Sequence, residues 1–154
     1  MIPNAYFENL RRLGKEHATQ YKAHDALQDS IAEKYGWGSP EMDDWYAEQE
    51  RLEATNPVAG GIGKAYRAWY WGTTDELEMS DFLWDREVEG FVDTLRKAGI
   101  QTFVYTNQST AVLENIHQLV AAGCVLEGPC TLTKKTEKWG KETEEQVLGL
   151  RFHV

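Results

Sequence analysis

Cysteines and long apolar runs are both scarce in this chain. Its two cysteines, Cys124 and Cys130, are too few for a disulfide scaffold and too far apart for a CxxC motif. The longest apolar runs are a few residues long, far below the ~20 residues that cross a membrane. The first residues also lack the apolar stretch and cleavage site of a secretory signal. We therefore expect a soluble, cytoplasmic protein with two reduced thiols.

Positively charged residues are also scarce in this chain. It contains 16 Lys and Arg against 25 Asp and Glu, which gives a net charge of −9. Proteins that bind nucleic acid directly use Lys and Arg to displace counterions from phosphates. The charge therefore disfavours direct nucleic-acid binding and a general phosphate-binding role.

Catalytic motifs are absent as well. There is no nucleophile elbow, HExxH or CxxC. The glycines before Lys64 do not form a phosphate loop, because Val58 and Ala65 occupy the positions of its first glycine and its hydroxyl residue, so we interpret "TNPVAGGIG" as a flexible linker. Glu114 and His117 match half of a di-iron site without a second copy. We expect no enzyme activity, no cofactor and no metal.

The clearest pattern that is present is helical. A stripe of mostly apolar residues at alternating spacings of four and three predicts one long helix over 6–31. Gly36 should end this helical segment, and Ser39 should cap a second helix. His17 and His24 lie too far apart on the first helix to share a metal ion. Each is expected to bond a neighbour along the helix seam.

The second half of the chain alternates helix and strand signals. A helix is predicted from Met79 or Ser80 to Ala98, and strands are predicted near 101–106, 124–134 and 145–153, with Gly140 in a hairpin turn. The expected fold is α+β: N-terminal helices followed by an α-β-α-β-β unit, with a small three-stranded sheet covered by helices. We expect a single domain, 1–154, composed of a helical part (1–56), an aromatic-rich connector (57–78) and the α-β-α-β-β unit (79–154).

A cluster of polar residues follows the first of these strands, in "TFVYTNQST". Capping of the next helix explains one or two of them. A strand-to-helix turn also presents free N–H groups and the positive end of a helix dipole, which suit an anion. The alternatives are a cap or a ligand or partner contact. The candidate contact residues of this polar turn are Thr106, Asn107, Gln108, Ser109 and Thr110.

Negative charge is concentrated in two segments, 41–53 and 75–93. Such runs are either the solvated faces of helices or an acidic surface that meets a basic partner. The candidates for this acidic surface are Glu41, Asp43, Asp44, Glu48, Asp75, Glu76 and Glu78.

Aromatic residues are concentrated between Tyr66 and Trp84. They either form a hydrophobic core or provide anchors for a protein partner, because Trp, Tyr and Arg dominate binding hot spots. Tyr70 and Trp71 are the candidate anchors.

Three segments carry a resemblance: "FENLRRLGKEHATQYKAHDALQDSIAEKYGW", "AYRAWYWGTTDELEMSDFLWDREV" and "TFVYTNQSTAVLENIHQLVAAGC". They resemble a family of small acidic proteins, without an assigned activity, from conjugative elements and phages of gut Clostridia and other Firmicutes. The resemblance supplies no catalytic residue. It implies a genomic setting in which small acidic proteins inhibit host defence, as anti-CRISPR and antirestriction proteins do.

Two hypotheses for the function follow. In the first, the chain is a non-enzymatic interaction or inhibitor protein that binds a basic or nucleic-acid-handling host protein. In the second, it is a small-ligand-binding domain, or an enzyme of unfamiliar type, that uses the polar turn. An exposed array of carboxylates would favour the first hypothesis, and a closed pocket at the start of the helix after Ser109 would favour the second.

Overall fold

The computed structural model describes residues 1–154 and contains six helices and a four-stranded mixed sheet. N-terminal helices precede the sheet, which confirms the predicted α+β class. No helix is both long and apolar enough to cross a membrane. The helices are α1 (Ala5–Asp25), α2 (Gln28–Tyr35), α3 (Pro40–Ala54), α4 (Gly60–Tyr70), α5 (Asp85–Lys97) and α6 (Val112–Ala121), and the strands are β1 (Leu77–Met79), β2 (Thr102–Tyr105), β3 (Val125–Lys138) and β4 (Lys141–His153).

The chain forms two compact units. The smaller unit contains residues 9–57, and the larger one contains residues 1–8 and 58–154. The smaller unit therefore consists of helices, while the larger one holds the whole sheet together with α4, α5 and α6.

Two histidines of α1 join the helices of the smaller unit. The Nε2 atom of His17 bonds the carbonyl oxygen of Leu52 at 2.6 Å, and that of His24 bonds the carbonyl oxygen of Trp45 at 2.9 Å. The His24 ring also stacks on the Trp45 indole, with 5.0 Å between ring centroids. The prediction that each histidine bonds a neighbour along the helix seam is confirmed.

The predicted continuous helix over 6–31 is wrong, because α1 ends at Asp25 and α2 begins at Gln28. The indole N–H of Trp45 donates to the carbonyl oxygen of His24, which also accepts the N–H of Leu27 three residues on. An α-helix would use that carbonyl for the residue four positions on, so the side chain from α3 coincides with the break. The predicted helix ends nearby are correct, since Gly36 follows α2 with φ of +90° and the Ser39 hydroxyl accepts the N–H of Met42.

The sheet of the larger unit has the order β1-β2-β4-β3, in which only β1 and β2 are parallel. Its core includes Phe103 of β2, which stacks on Phe152 of β4 and meets the ring of Phe91 edge-on. The predicted hairpin is confirmed, because β3 and β4 are antiparallel and the turn between them contains Gly140 with φ of +72°.

The predicted count of three strands is wrong, because β1 adds a fourth one beside β2. Its three residues are all buried, so it lacks the alternation that marks a half-exposed strand, and its centre is the charged Glu78. The helix predicted to start at 79 or 80 begins instead at Asp85, after an N-cap at Trp84 whose N–H is bound by the Glu87 side chain.

The predicted flexible linker and aromatic-rich connector contain a regular helix, α4, over Gly60–Tyr70. Glycine is unfavourable inside a helix by ~1 kcal/mol relative to alanine. The "GGIG" stretch therefore gives this segment a low helix propensity, and packing explains why the helix forms.

Candidate functional site

Helix α4 packs tightly against α5 through a glycine. A Cβ atom at Gly61 would collide with the carbonyl oxygen of Glu87 and lie 2.5 Å from the amide nitrogen of Phe91. Only glycine allows the two backbones to come this close. The packing fixes α4 so that Lys64 and Arg67, three residues apart, lie on neighbouring positions of one helix face.

Lys64 is a buried cation with three partners. Its side chain is 8% exposed, and its ammonium nitrogen lies 3.1 Å from a carboxylate oxygen of Glu87 and 3.3 Å from one of Asp81. It also donates to the carbonyl oxygen of Phe82. Lys64 is therefore paired within the protein and positions the loop after β1.

The carboxyl ends of the parallel strands β1 and β2 lie side by side, the position at which open α/β sheets bind ligands. Glu78 of β1 is 8% exposed, and one of its oxygens accepts the Thr106 hydroxyl at 2.6 Å and pairs with the Lys134 ammonium at 2.8 Å. The Asn107 amide donates to the carbonyl oxygen of Ser80 at 2.9 Å. The residues after β2 therefore hold the end of β1 in place.

Asn115 of α6 fixes the next part of the same loop. Its side chain accepts the N–H of Leu83 at 2.8 Å and donates to the Leu83 carbonyl at 2.7 Å. The Tyr105 hydroxyl donates to the same Asn115 oxygen at 2.7 Å. Burial, with a smaller contribution from Asp81, raises the pKa of Tyr105 to about 12. The phenol is therefore neutral at physiological pH and serves as a donor.

A pocket of about 200 Å³ opens between α4 and the end of β1. We call it the α4–β1 pocket. It combines charged side chains, two hydroxyl residues and an exposed indole. Its lining residues are Lys64, Arg67, Ala68, Trp71, Gly72, Thr73, Glu78, Met79, Ser80, Asp81 and Lys134.

The charges of the α4–β1 pocket are almost all paired with one another. Lys64 is paired with Asp81 and Glu87, and Lys134 with Glu78. Arg67 lines the same pocket, is exposed and forms no ion pair. A guanidinium has five N–H donors arranged to bind carboxylates and phosphates. Arg67 is therefore the cation of this pocket that is available to a ligand.

The five residues of the polar turn separate into three groups. Thr106 and Asn107 support β1 through the bonds described above. Ser109 is bound within the turn, since its N–H donates to Asn107 and its hydroxyl accepts the N–H of Ala111. Gln108 and Thr110 are exposed. The turn lies outside the α4–β1 pocket. Thr106, Asn107 and Gln108 line a second pocket of about 290 Å³, and Ser109 and Thr110 line a third of about 290 Å³.

The residues predicted for the acidic surface differ in exposure and pairing. Glu41, Asp43, Asp44 and Asp75 are exposed. Two others are engaged in ion pairs: Glu48 with Arg51 at 2.6 Å, and Glu76 with Arg151 at 2.6 Å. Glu78 lies inside the larger unit, as described above, and so is not part of a surface.

The aromatic segment between Tyr66 and Trp84 divides between core and surface. Trp69 is fully buried, stacks on Phe7 and donates its indole N–H to the carbonyl oxygen of Ile2 at 2.5 Å. Of the candidate anchors, Tyr70 is half-buried and Trp71 is 72% exposed. Trp71 therefore presents its indole to solvent at the rim of the α4–β1 pocket.

Sequence reasoning did not bring the charged residues of this pocket together, and it named only Glu78 among them as a candidate site residue, as part of the acidic surface. Lys64 and Arg67 fell in or beside the presumed linker, Asp81 in the presumed start of a helix, and Lys134 far along the chain. One signal was present. Gly61, Ala65 and Trp69 recur every four residues, which marks a helix face when the glycines are allowed as close-packing positions.

Comparison with known protein families identifies the larger unit. Residues 61–154 match a domain of unknown function (DUF7698). The chain belongs to this family. The match includes α4, the whole sheet, α5 and α6, and so contains every residue that lines the α4–β1 pocket. No curated protein and no solved structure matches the chain.

Proposed function

We propose that this DUF7698 protein binds a small anionic ligand in the α4–β1 pocket. The observation that carries the proposal is Arg67, an exposed guanidinium without a carboxylate partner in a pocket whose other charges are paired. Lys134 adds to it, since only one of its three donors is used by Glu78. This develops the small-ligand hypothesis but moves the site from the polar turn to the pocket beside it.

The overall charge of −9 is compatible with such a ligand. Counting Glu87 behind Lys64, the cluster contains three cations and three carboxylates, so an incoming anion meets a locally neutral site. Charges beyond about 8 Å are largely screened at physiological ionic strength. The remaining acidic surface repels extended polyanions more than a single small anion, because a polyanion reaches past the pocket.

The proposal is one of binding rather than catalysis. Asp81 has one oxygen bound by the N–H of Phe82 and the other in the ion pair with Lys64. Glu78 is buried against Thr106 and Lys134. Both carboxylates thereby position cations and the loop, which gives each a role that requires no chemical step.

Isothermal titration calorimetry with ribose 5-phosphate and with inorganic phosphate tests this proposal. Arg67→Ala should weaken binding about tenfold or more, because a charge-assisted hydrogen bond contributes ~1.5–3 kcal/mol. Arg86→Ala is the matched control, since Arg86 is also exposed but lies on α5 outside the pocket. Wild-type protein that binds neither compound, or equal affinities of the Arg67 and Arg86 variants, would refute the proposal.

A second candidate function is the inhibitor hypothesis, in which the chain comes from a conjugative element or phage and binds a basic host protein. The specific observation that favours it is on α3, where Glu41, Asp43 and Asp44 are exposed and form no ion pairs. Unpaired surface carboxylates of this kind speed association with a basic partner and help to select it.

Surface plasmon resonance on a partner retained by the chain in a host lysate tests the inhibitor hypothesis. Asp43→Lys with Asp44→Lys should slow association several-fold at low salt and leave stability unchanged, since exposed charges contribute little to it. The control is the same double reversal at Glu142 and Glu144 on the exposed hairpin. An association rate that neither salt nor the α3 reversal changes would exclude the acidic surface as a binding site.

A further inference from the structure

Trp71 gives the α4–β1 pocket a feature that a simple phosphate site does not need. It is the C-cap residue of α4, lines the pocket and is 72% exposed. Its ring meets that of Tyr70 edge-on, with 4.8 Å between centroids and 87° between planes. An indole that is largely exposed to solvent can serve as a platform for a flat aromatic group.

The position of Trp71 relative to Arg67 indicates what kind of molecule would use both. The two residues are four positions apart, about one turn or ~6 Å along the helix axis. A pentose holds a phosphate and a base apart on this scale. The hydroxyl residues Thr73 and Ser80 and the carboxylate of Asp81 line the same pocket, and these groups suit sugar hydroxyls.

The size of the pocket fits a ligand whose sugar phosphate is enclosed and whose base remains outside. Its volume of about 200 Å³ is below the ~300–1,000 Å³ of sites that enclose a drug-sized ligand. A sugar phosphate would therefore occupy the pocket while an attached base lies at its rim, where the Trp71 indole is exposed.

We infer that the ligand of the α4–β1 pocket is a nucleoside monophosphate, with its phosphate on Arg67 and Lys134 and its base stacked on Trp71. This inference depends on the proposed function, because it assumes that the pocket binds an anion. A mononucleotide fits better than a strand of nucleic acid, which needs a basic groove along its backbone, whereas this chain carries a net charge of −9.

The experiment compares three probes by isothermal titration calorimetry: adenosine 5′-monophosphate, ribose 5-phosphate and adenosine. Base stacking on an aromatic side chain is worth ~1–3 kcal/mol, so the nucleotide should bind roughly 5–150-fold more tightly than ribose 5-phosphate. Trp71→Ala should remove this advantage and leave the affinity for ribose 5-phosphate unchanged. Arg67→Ala should weaken the binding of both phosphates. Trp139→Ala is the matched control, since Trp139 is a fully exposed indole at the hairpin turn.

The other possible results separate a failure of the nucleotide inference from a failure of the proposed anion site. Equal affinities of the wild type for the nucleotide and the sugar phosphate would overturn the inference and leave the anion site standing. The inference also fails if Trp71→Ala weakens ribose 5-phosphate as much as the nucleotide, because Trp71 would then shape the pocket and not bind the base. The inference fails too if adenosine binds as tightly as the nucleotide, because the phosphate would then contribute nothing to nucleotide binding. If neither phosphate binds, the proposed function fails as well.

Discussion

At the scale of single residues, the buried side chain of Asn115 connects three parts of the larger unit. It is 1% exposed and binds both backbone polar groups of Leu83 and the hydroxyl of Tyr105. A buried polar group that loses its partner costs ~1–3 kcal/mol. Asn115 therefore holds α6, β2 and the loop that follows β1 in one arrangement.

Asn115→Ala should lower the free energy of unfolding by about 3 kcal/mol, because Leu83 and Tyr105 would each keep buried groups without partners. Urea denaturation followed by circular dichroism measures this. Leu113→Ala on the same helix serves as the control, since Leu113 is 79% exposed and its truncation should change stability by less than ~0.5 kcal/mol. Equal stabilities of the two variants would show that the bonds of Asn115 are dispensable.

Tyr105 makes stability depend on pH in the alkaline range. Its folded-state pKa of about 12 lies above its ordinary value of 10.0, because burial disfavours the phenolate. The stabilisation by the neutral phenol is complete below pH 10 and is lost as the pH rises from 10 to 12, an effect of about 2–3 kcal/mol. The stability of the wild type relative to Tyr105→Phe should thus fall over this range. Parallel pH profiles of the two proteins, measured by urea denaturation, would contradict this.

Sequence reasoning was reliable for residues whose roles follow from their spacing on a helix or from helix capping. The roles of His17, His24 and Ser39 follow from spacing along helices and from capping. Glu78 was misjudged as a surface residue because no spacing pattern in the sequence indicates its partners, Thr106 and Lys134. A buried charge can be recognised only when the opposite charge that meets it is known.

At the scale of elements, the close contact of α4 and α5 determines where the pocket lies. Gly61 of α4 faces the backbone of α5 with no room for a side chain, and Gly90 of α5 lies near Gly61 and Ile62 with ordinary van der Waals space. The two glycines therefore have different structural roles although both lie at the same contact.

Gly61→Ala should destabilise the chain by about 3 kcal/mol, because the added methyl group must push the two helices apart. Gly90→Ala is the matched control and should be neutral or stabilising by up to ~1 kcal/mol, since its methyl group fits and alanine favours helix. Thermal and urea unfolding of both variants checks the difference. A Gly61→Ala protein as stable as the Gly90→Ala protein would show that α4 does not pack as described.

Some helices and strands could be predicted from the sequence, and others could not. The helix α5 and the hairpin of β3 and β4 have patterns that packing does not overrule, so they were predicted, although with shifted ends. The strand β1 is only three residues long and buried throughout, so neither length nor alternation reveals it. The glycines of α4 are needed for contact with α5, and this tertiary reason overrides their low helix propensity.

At the scale of the whole molecule, an acidic chain contains one locally neutral cluster of charges at the α4–β1 pocket. The net charge of −9 disfavours broad polyanion binding but does not describe the α4–β1 pocket, where cations from α4 and β3 meet carboxylates at the end of β1. The fold class could be predicted from the sequence, whereas the pocket could not, because its charges meet only in the folded sheet.

A ¹H–¹⁵N correlation spectrum of the protein titrated with ribose 5-phosphate tests directly whether the α4–β1 pocket binds a small anion. Saturable shifts should concentrate at Arg67, at the residues from Trp71 to Thr73, at Ser80 and Asp81, and at Lys134. In the Arg67→Ala protein they should require at least about tenfold more ligand, while the rest of its spectrum keeps the native dispersion. Shifts that are absent in the wild type, or that centre on the exposed residues Gln108 and Thr110, would contradict the assignment of the α4–β1 pocket as the ligand site.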